Sequence, residues 1–358
     1  MLKVNCMKAL VLGGTGFLGR QVVEVLLERG HEVTVIHRGE HEVEDGEARE
    51  SAGGARGGGL SASSAKARHL HGDRSETAEL VKGLQFDAFI DTRPMNDKDS
   101  QVVIEALRGR VRRTVHASSV DVYEAYDSFR AGTATEPVPL NEEAPVRRQI
   151  YPYRGQNARL EDYDKILMER SVLGAGDAFP ACVIRFPVLY GPWDRQRREW
   201  PFLRRILDGR PVIMGGGSSW LFHRMYIRDA ARAMVLAAEQ DEAMGRIFNV
   251  GEPRTLTMFQ WALAIGEACG RKADVRVISD VLLPEHLRSH ATHQQHLLVD
   301  TSRIRAALGY REERPASETI GLSVEWHMAN PPTGDEEEYQ KQLALEAEAV
   351  KVAEASAG

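Results

Sequence analysis

Short apolar runs alternate with amphipathic stretches through the first half of the chain. Lys8-Ala-Leu-Val-Leu12 is an apolar run that ends in glycines, as a strand buried on both faces does. From Phe17 to Arg29 the apolar positions Leu18, Val22, Val23, Leu26 and Leu27 recur at helical spacing, and Gly30 stops the helix. Val33–Ile36 reads as the next strand. The alternation resumes with a helix over Thr77–Leu84, a strand over Phe86–Asp91, a helix over Ser100–Leu107 and a strand over Arg113–Ala117. A helix over Asp162–Leu173 and a strand over Ala181–Phe186 complete it. Strands alternating with helices predict an α/β fold of the Rossmann type, a doubly wound parallel sheet. Between them, 46–67 is rich in Gly, Ala and Ser and reads as a mobile surface loop without a catalytic part.

After Tyr190-Gly-Pro192 the pattern changes. Helices are predicted over Trp200–Leu207, Arg228–Glu239, Thr257–Cys269 and Thr301–Leu308, with a turn at Gly215–Gly217 and a strand over Arg246–Val250. This half reads as a smaller C-terminal α/β domain over the carboxyl ends of the strands, where ligands bind in such sheets. The expected division is a dinucleotide-binding domain of 7–187 plus 225–252, a substrate domain of 188–224 plus 253–330, and a charged tail of 331–358. In that tail, Glu336–Ala355 reads as a solvated or dimer-edge helix with a frayed end.

Composition narrows the function classes. The net charge of −6 argues against a broad nucleic-acid surface. No apolar run approaches the ~20 residues that span a bilayer, and Met1–Lys8 lacks a signal-peptide core. The three cysteines form no CxxC pair, so neither a disulfide framework nor a metal site is expected. A cytoplasmic location follows as the expectation.

The candidate chemistry begins at Gly13-Gly-Thr15-Gly16-Phe17-Leu18-Gly19, which follows a strand and opens a helix. Gly13 permits the tight turn, Gly16 lets backbone approach a pyrophosphate, and Gly19 allows close helix–sheet packing. The helix N-terminus offers N–H groups to phosphates. The second strand ends in His37-Arg38, where an NAD site would carry an acid for the ribose 2′-hydroxyl. Arg38 suits a 2′-phosphate instead. NADP(H) is therefore the expected cofactor, with NAD(H) as the alternative.

These residues, with the motifs after them, resemble the extended short-chain dehydrogenase/reductase family and its NAD(P)-dependent epimerase/dehydratase members. The resemblance runs from about Lys8 to Trp326. It is carried by Asp73-Arg74, Asp91-Thr92-Arg93-Pro94, Ser118-Ser119-Val-Asp-Val-Tyr123, Lys165-Ile-Leu-Met-Glu169, Arg185-Phe-Pro187-Val188-Leu-Tyr-Gly-Pro192, Tyr226-Ile-Arg-Asp229 and Phe248-Asn-Val-Gly251. It implies Asp73, Arg74, Thr92, Ser118 and Pro187 against cofactor, and Arg93, Ser119, Val188 and Arg224 against substrate. It also implies hydride transfer aided by a Ser–Tyr–Lys group, with Ser119 orienting the substrate oxygen and Lys165 both tuning a tyrosine and holding the nicotinamide ribose of the cofactor, and a homodimer built on helices 100–107 and 162–173.

The sequence departs from that pattern at the base. Four residues before Lys165 stands Glu161, and the nearby Tyr163 is two residues away, about 200° around a regular helix. Three readings stay open: Tyr163 acts from a turn ahead of the helix, Tyr151 or Tyr153 folds back into the site, or no tyrosine acts. Glu161 is a further candidate, as partner of Lys165 or as base. Where nucleotide-sugar enzymes of the family carry Asn and Arg, this chain has Val188 and Phe222, with Arg224 nearby; Arg195, Arg197, Arg198, Arg204 and Arg205 form a basic cluster suited to an anionic substrate. The functional expectation is an oxidoreductase of the epimerase/dehydratase type acting at a hydroxyl or carbonyl carbon of a nucleotide sugar or related polyol. Its rivals are a small-carbonyl reductase and a non-catalytic NADP(H)-binding regulatory or RNA-associated protein.

Overall fold

The structure, a computed structural model, describes residues 6–39, 66–289, 293–334 and 336–357. Of the stretch expected as a loop, 46–67, residues 46–65 lie outside them. Seven described strands form one parallel sheet: β1 Lys8–Leu12, β2 Glu32–His37, β3 Arg68–His71, β4 Phe86–Asp91, β5 Val111–Ser119, β6 Ala181–Phe186 and, late in the chain, Ile247–Asn249. The spatial order is Ile247–Asn249, β6, β5, β4, β1, β2, β3, the order of a Rossmann sheet extended by one strand. The central strands are almost entirely buried because helices cover both faces, and β1 is apolar from Ala9 to Leu12.

On one face lies α1 (Phe17–Glu28); on the other lie α2 (Thr77–Leu80), α3 (Asp97–Leu107) and, after α4 (Glu124–Ala131), α5 (Lys165–Leu173). The chain continues through β7 (Val188–Tyr190), α6 (Trp200–Leu207), β8 (Val212–Met214), β9 (Arg224–Tyr226), α7 (Ile227–Glu239), the sheet strand β10 (Ile247–Asn249), α8 (Met258–Ala268), β11 (Val275–Val277), α9 (Ser302–Leu308), α10 (Ala316–Ala329) and α11 (Glu336–Ala357). Helix α7 packs beside α1, while β7–β9 and β8–β11 form two small parallel pairs.

Two expectations are corrected, and one strand is added. Strand β3 carries a single apolar residue, Leu70, so no hydrophobic pattern marks it; it is an edge strand held by its ladder to β2. Helix α5 starts at Lys165, not Asp162, because the Asp164 carboxylate caps it by accepting from Leu167 N at 3.1 Å. The C-terminal helix is not merely solvated and stays helical to Ala357. It buries Tyr339, Leu343 and Val350, and its Glu346 carboxylate accepts from Arg205 Nε and Nη2 at 3.0 and 2.5 Å. Arg204 likewise pairs with Glu336. Two arginines expected near substrate therefore anchor α11.

Candidate active site

The carboxyl ends of β1, β2, β4, β5 and β6 open into one cavity of about 1570 Å³, larger than a pocket for a single drug-sized ligand. The glycine turn forms one end. Gly13 has φ +82°, a conformation that favours glycine. A Cβ on Gly19 would stand 2.1 Å from Gly13 O, so α1 can pack this close only without one. Gly16 precedes α1 without a side-chain cap, which leaves the first-turn N–H groups for a ligand. Thr15, Phe17, Leu18, His37 and Arg38 line the same end, joined by Asp73, Arg74, Thr92 and Arg93.

Several of these groups also serve the frame. The Asp73 side chain caps the turn Arg74–Glu76. Arg74 donates to both oxygens of buried Asp91, at 2.5 and 2.9 Å. Burial alone would raise the Asp91 pKa, but Arg74 holds it below the usual carboxylate range. Thr92 Oγ1 donates to Leu12 O at 2.9 Å, tying β4 to β1 beneath the glycine turn. His37 Nε2 lies 2.9 Å from His69 Nδ1 at the end of β2. A glycine cradle and an uncapped helix N-terminus facing a long cavity fit a dinucleotide.

The other end gathers around β5. Ser118, Ser119, Lys165, Pro187 and Val188 all line the cavity. The Ser118 hydroxyl donates to Glu169 at 2.5 Å, and Glu169 also receives Arg185, so Ser118 is fastened to the core. Ser119 Oγ accepts from Asp121 N at 3.2 Å. The Lys165 ammonium donates to Pro94 O and, at 2.9 Å, to Ala117 O. Burial pushes its pKa down to about 8, against the pull of Asp91 and Asp121.

Asp121 is the group that sequence reasoning missed. Its Oδ2 accepts from Tyr163 OH at 2.7 Å and from Tyr153 OH at 3.2 Å. Burial raises the Tyr163 phenol well above its ordinary value, and the Asp121 charge raises it further. The same causes push Tyr153 up to about 12. Asp121 lies inside the serine motif, two residues after Ser119, where an acid could have been noticed beside the missing base.

The open readings of the base now separate. Because α5 begins at Lys165, Tyr163 sits ahead of the helix, and the Lys165 ammonium lies 5.8 Å from its ring centre. Tyr153 lines the cavity; Tyr151 does not, and its ring is covered by Arg154 at 3.8 Å. Glu161 accepts from Gly155 N at 3.0 Å, so it neither lines the cavity nor pairs with Lys165. Tyr163 itself is reached through Asp121 and is not among the lining residues. Arg224 is a further correction. It is buried, donates to Phe222 O and lies 4.4 Å from the Trp261 ring centre, outside the cavity.

The segment after β7 closes the cavity from the C-terminal half. Trp193 and Arg197 hold positive φ, at 75° and 48°. The Arg20 guanidinium of α1 stacks on the Trp193 ring at 4.2 Å. Arg195, Arg197 and Arg198 line the cavity, and Arg198 also pairs with Asp194 at 3.0 Å. Among the described residues, no cluster of acidic, His or Cys side chains could hold a metal ion, and no helix is long and apolar enough to cross a membrane.

Comparison with known proteins bears on the family and the fold. The sequence profile of the NAD dependent epimerase/dehydratase family matches residues 9–251. The chain is 25% identical over 266 residues to the chloroplast stem-loop binding protein of 41 kDa b of Arabidopsis thaliana, a match spanning 74% of this chain and 63% of that protein. It is 27% identical over 314 residues to the 3-diazoavenalumate denitrifying reductase of a Streptomyces species, spanning 87% and 97%. Among solved structures it is similar to the UDP-glucuronic acid 4-epimerase of Bacillus cereus, with a TM-score of 0.67, 16% identity and coverage of 90% and 99%. That last likeness shows the fold.

Proposed function

The chain belongs to the NAD dependent epimerase/dehydratase family, and we propose that it is an NADP(H)-dependent oxidoreductase that acts at a hydroxyl or carbonyl carbon and works best as a carbonyl reductase. The observation that carries this reading is the pair of tyrosine hydroxyls donated to Asp121 beside Ser119 and Lys165. A phenol whose pKa is raised stays protonated at neutral pH, so Tyr163 is a proton donor rather than a base. Protonation of a carbonyl oxygen uses that state; oxidation of an alcohol would need the phenolate.

When bound, reduced nicotinamide would supply the hydride. Ser119 Oγ orients the substrate oxygen. Tyr163, which reaches the cavity only through Asp121, gives its proton to the Asp121 carboxylate as that carboxylate protonates the substrate oxygen, and charged Lys165 steadies the phenolate left behind. Asp121 holds the two phenols in place and keeps them protonated between turnovers. Arg38 at the end of β2 supports NADP(H) over NAD(H), as does the lack of an acid at position 37. Val188 and Phe222 on the cavity wall support a carbonyl substrate of low polarity; the nucleotide-sugar enzymes among the structural neighbours keep a sugar nucleotide as the second candidate.

The test is a titration with NADPH and NADH, followed by turnover on a carbonyl panel. NADPH should bind more tightly, and Arg38→Ala should erase the difference. Tyr163→Phe and Asp121→Asn should each lower the rate by roughly 10²–10⁴-fold. Tight NADPH binding with no carbonyl reduced and no hydroxyl oxidised refutes the enzyme reading in favour of a binding module, for which the stem-loop binding relative is the precedent.

A further inference from the structure

We infer that the reacting end of the cavity is built for a planar conjugated carbonyl compound, such as an aryl ketone, seated against the ring of Phe222. This rests on the carbonyl-reductase reading above. Three rings are stacked before any ligand arrives. Phe129 and Trp220 lie 4.6 Å apart at 9°, and Trp220 and Phe222 lie 4.5 Å apart at 18°. Of the three, Phe222 alone reaches the cavity wall.

The stack is held rigidly. Trp220 Nε1 donates to Gln295 O at 2.7 Å, and His293 meets Trp220 and Phe129 edge-on at 5.1 and 5.7 Å. Phe129 is on α4, which starts three residues after Asp121 and also carries Tyr126, another lining residue. The aromatic ladder is thus joined to the element that bears the acid. Its last ring is already positioned, so a planar ligand gains stacking without ordering a loose side chain.

Arg195, Arg197 and Arg198 also line the cavity, so the case for the ketone rests on the wall next to Phe222. Arg224, the strand cation that a diphosphate would need here, is buried against Trp261 and Met258. Its guanidinium lies over the Phe222 ring, 5.6 Å from the centroid, and does not itself line the cavity. Val188 and Leu189 extend the wall as apolar surface. An uncharged conjugated ring suits that wall better than a sugar nucleotide.

The experiment uses the full chain with NADPH. Acetophenone, cyclohexyl methyl ketone and UDP-glucose are compared by quenching of tryptophan fluorescence and, separately, by NADPH oxidation. Acetophenone should bind about ten-fold more tightly than its saturated counterpart. Phe222→Leu should abolish that ratio, while Phe222→Tyr, which keeps the ring, retains it. Equal binding of the two ketones, no binding of either, or tighter binding of UDP-glucose that is lost in Phe222→Leu overturns the assignment. An aryl preference in binding without any NADPH oxidation upholds the seat and refutes the reductase reading; equal oxidation with both ketones does the reverse.

Discussion

At the scale of single residues, the site depends on which protons its burial holds or releases. Lys165 is charged below about pH 8 and neutral above it, because burial disfavours the ammonium. If charged Lys165 steadies the Tyr163 phenolate, the rate of carbonyl reduction should fall as pH rises through about 8. Lys165→Arg, which stays charged, should move that descending limb upward. A profile flat from pH 7 to 9.5 counts against the role. The residues that sequence reasoning reached at this scale, from Gly13 to Lys165, stand in a recognisable strand-turn-helix context. Asp121 escaped because its part depends on Tyr153 and Tyr163 coming back to it across 32 and 42 residues, and no local spacing encodes that return.

At the scale of elements, the same contrast holds. The buried strands β1, β4 and β6 were legible because their apolar runs leave one packing solution. The start of α5 was not, because the run Glu161-Asp162-Tyr163-Asp164 offers more than one capping acid; the fold selects Asp164, which buried Arg147 and Tyr151 N also engage. Helix α11 was misjudged for its charge. Its Glu346 is nearly sealed from solvent against Arg205, with His286 at 2.8 Å. Glu346→Ala leaves the Arg205 charge buried without its carboxylate, so about 3–5 kcal/mol of stability should be lost. The paired change Arg205→Met with Glu346→Leu should cost much less. Urea unfolding checks both, and equal losses would contradict the buried-pair account.

At the scale of the whole molecule, assembly is expected to be a homodimer through α3 and α5. Their outer faces carry Lys98, Gln101, Glu105 and Arg170 exposed, with Val102 and Leu167 half-buried between them. An obligate dimer would bury on the order of 2,000 Å² or more, and light scattering at micromolar concentration that returns the 39.8 kDa chain mass would refute it. The contact of Arg20 with Trp193 has a separate outcome at this scale. One side chain belongs to the helix that meets the dinucleotide; the other belongs to the segment that closes the cavity from the opposite half. Two ligands that each bias a shared contact must alter one another's affinity by the same factor, whichever binds first. Occupancy of one half should then be felt in the other through a guanidinium–indole bridge. With Arg20→Ala the reciprocal factor, expected at roughly five-fold or more, should shrink toward one. The native protein giving identical ketone affinities with and without NADPH would show that the bridge transmits nothing.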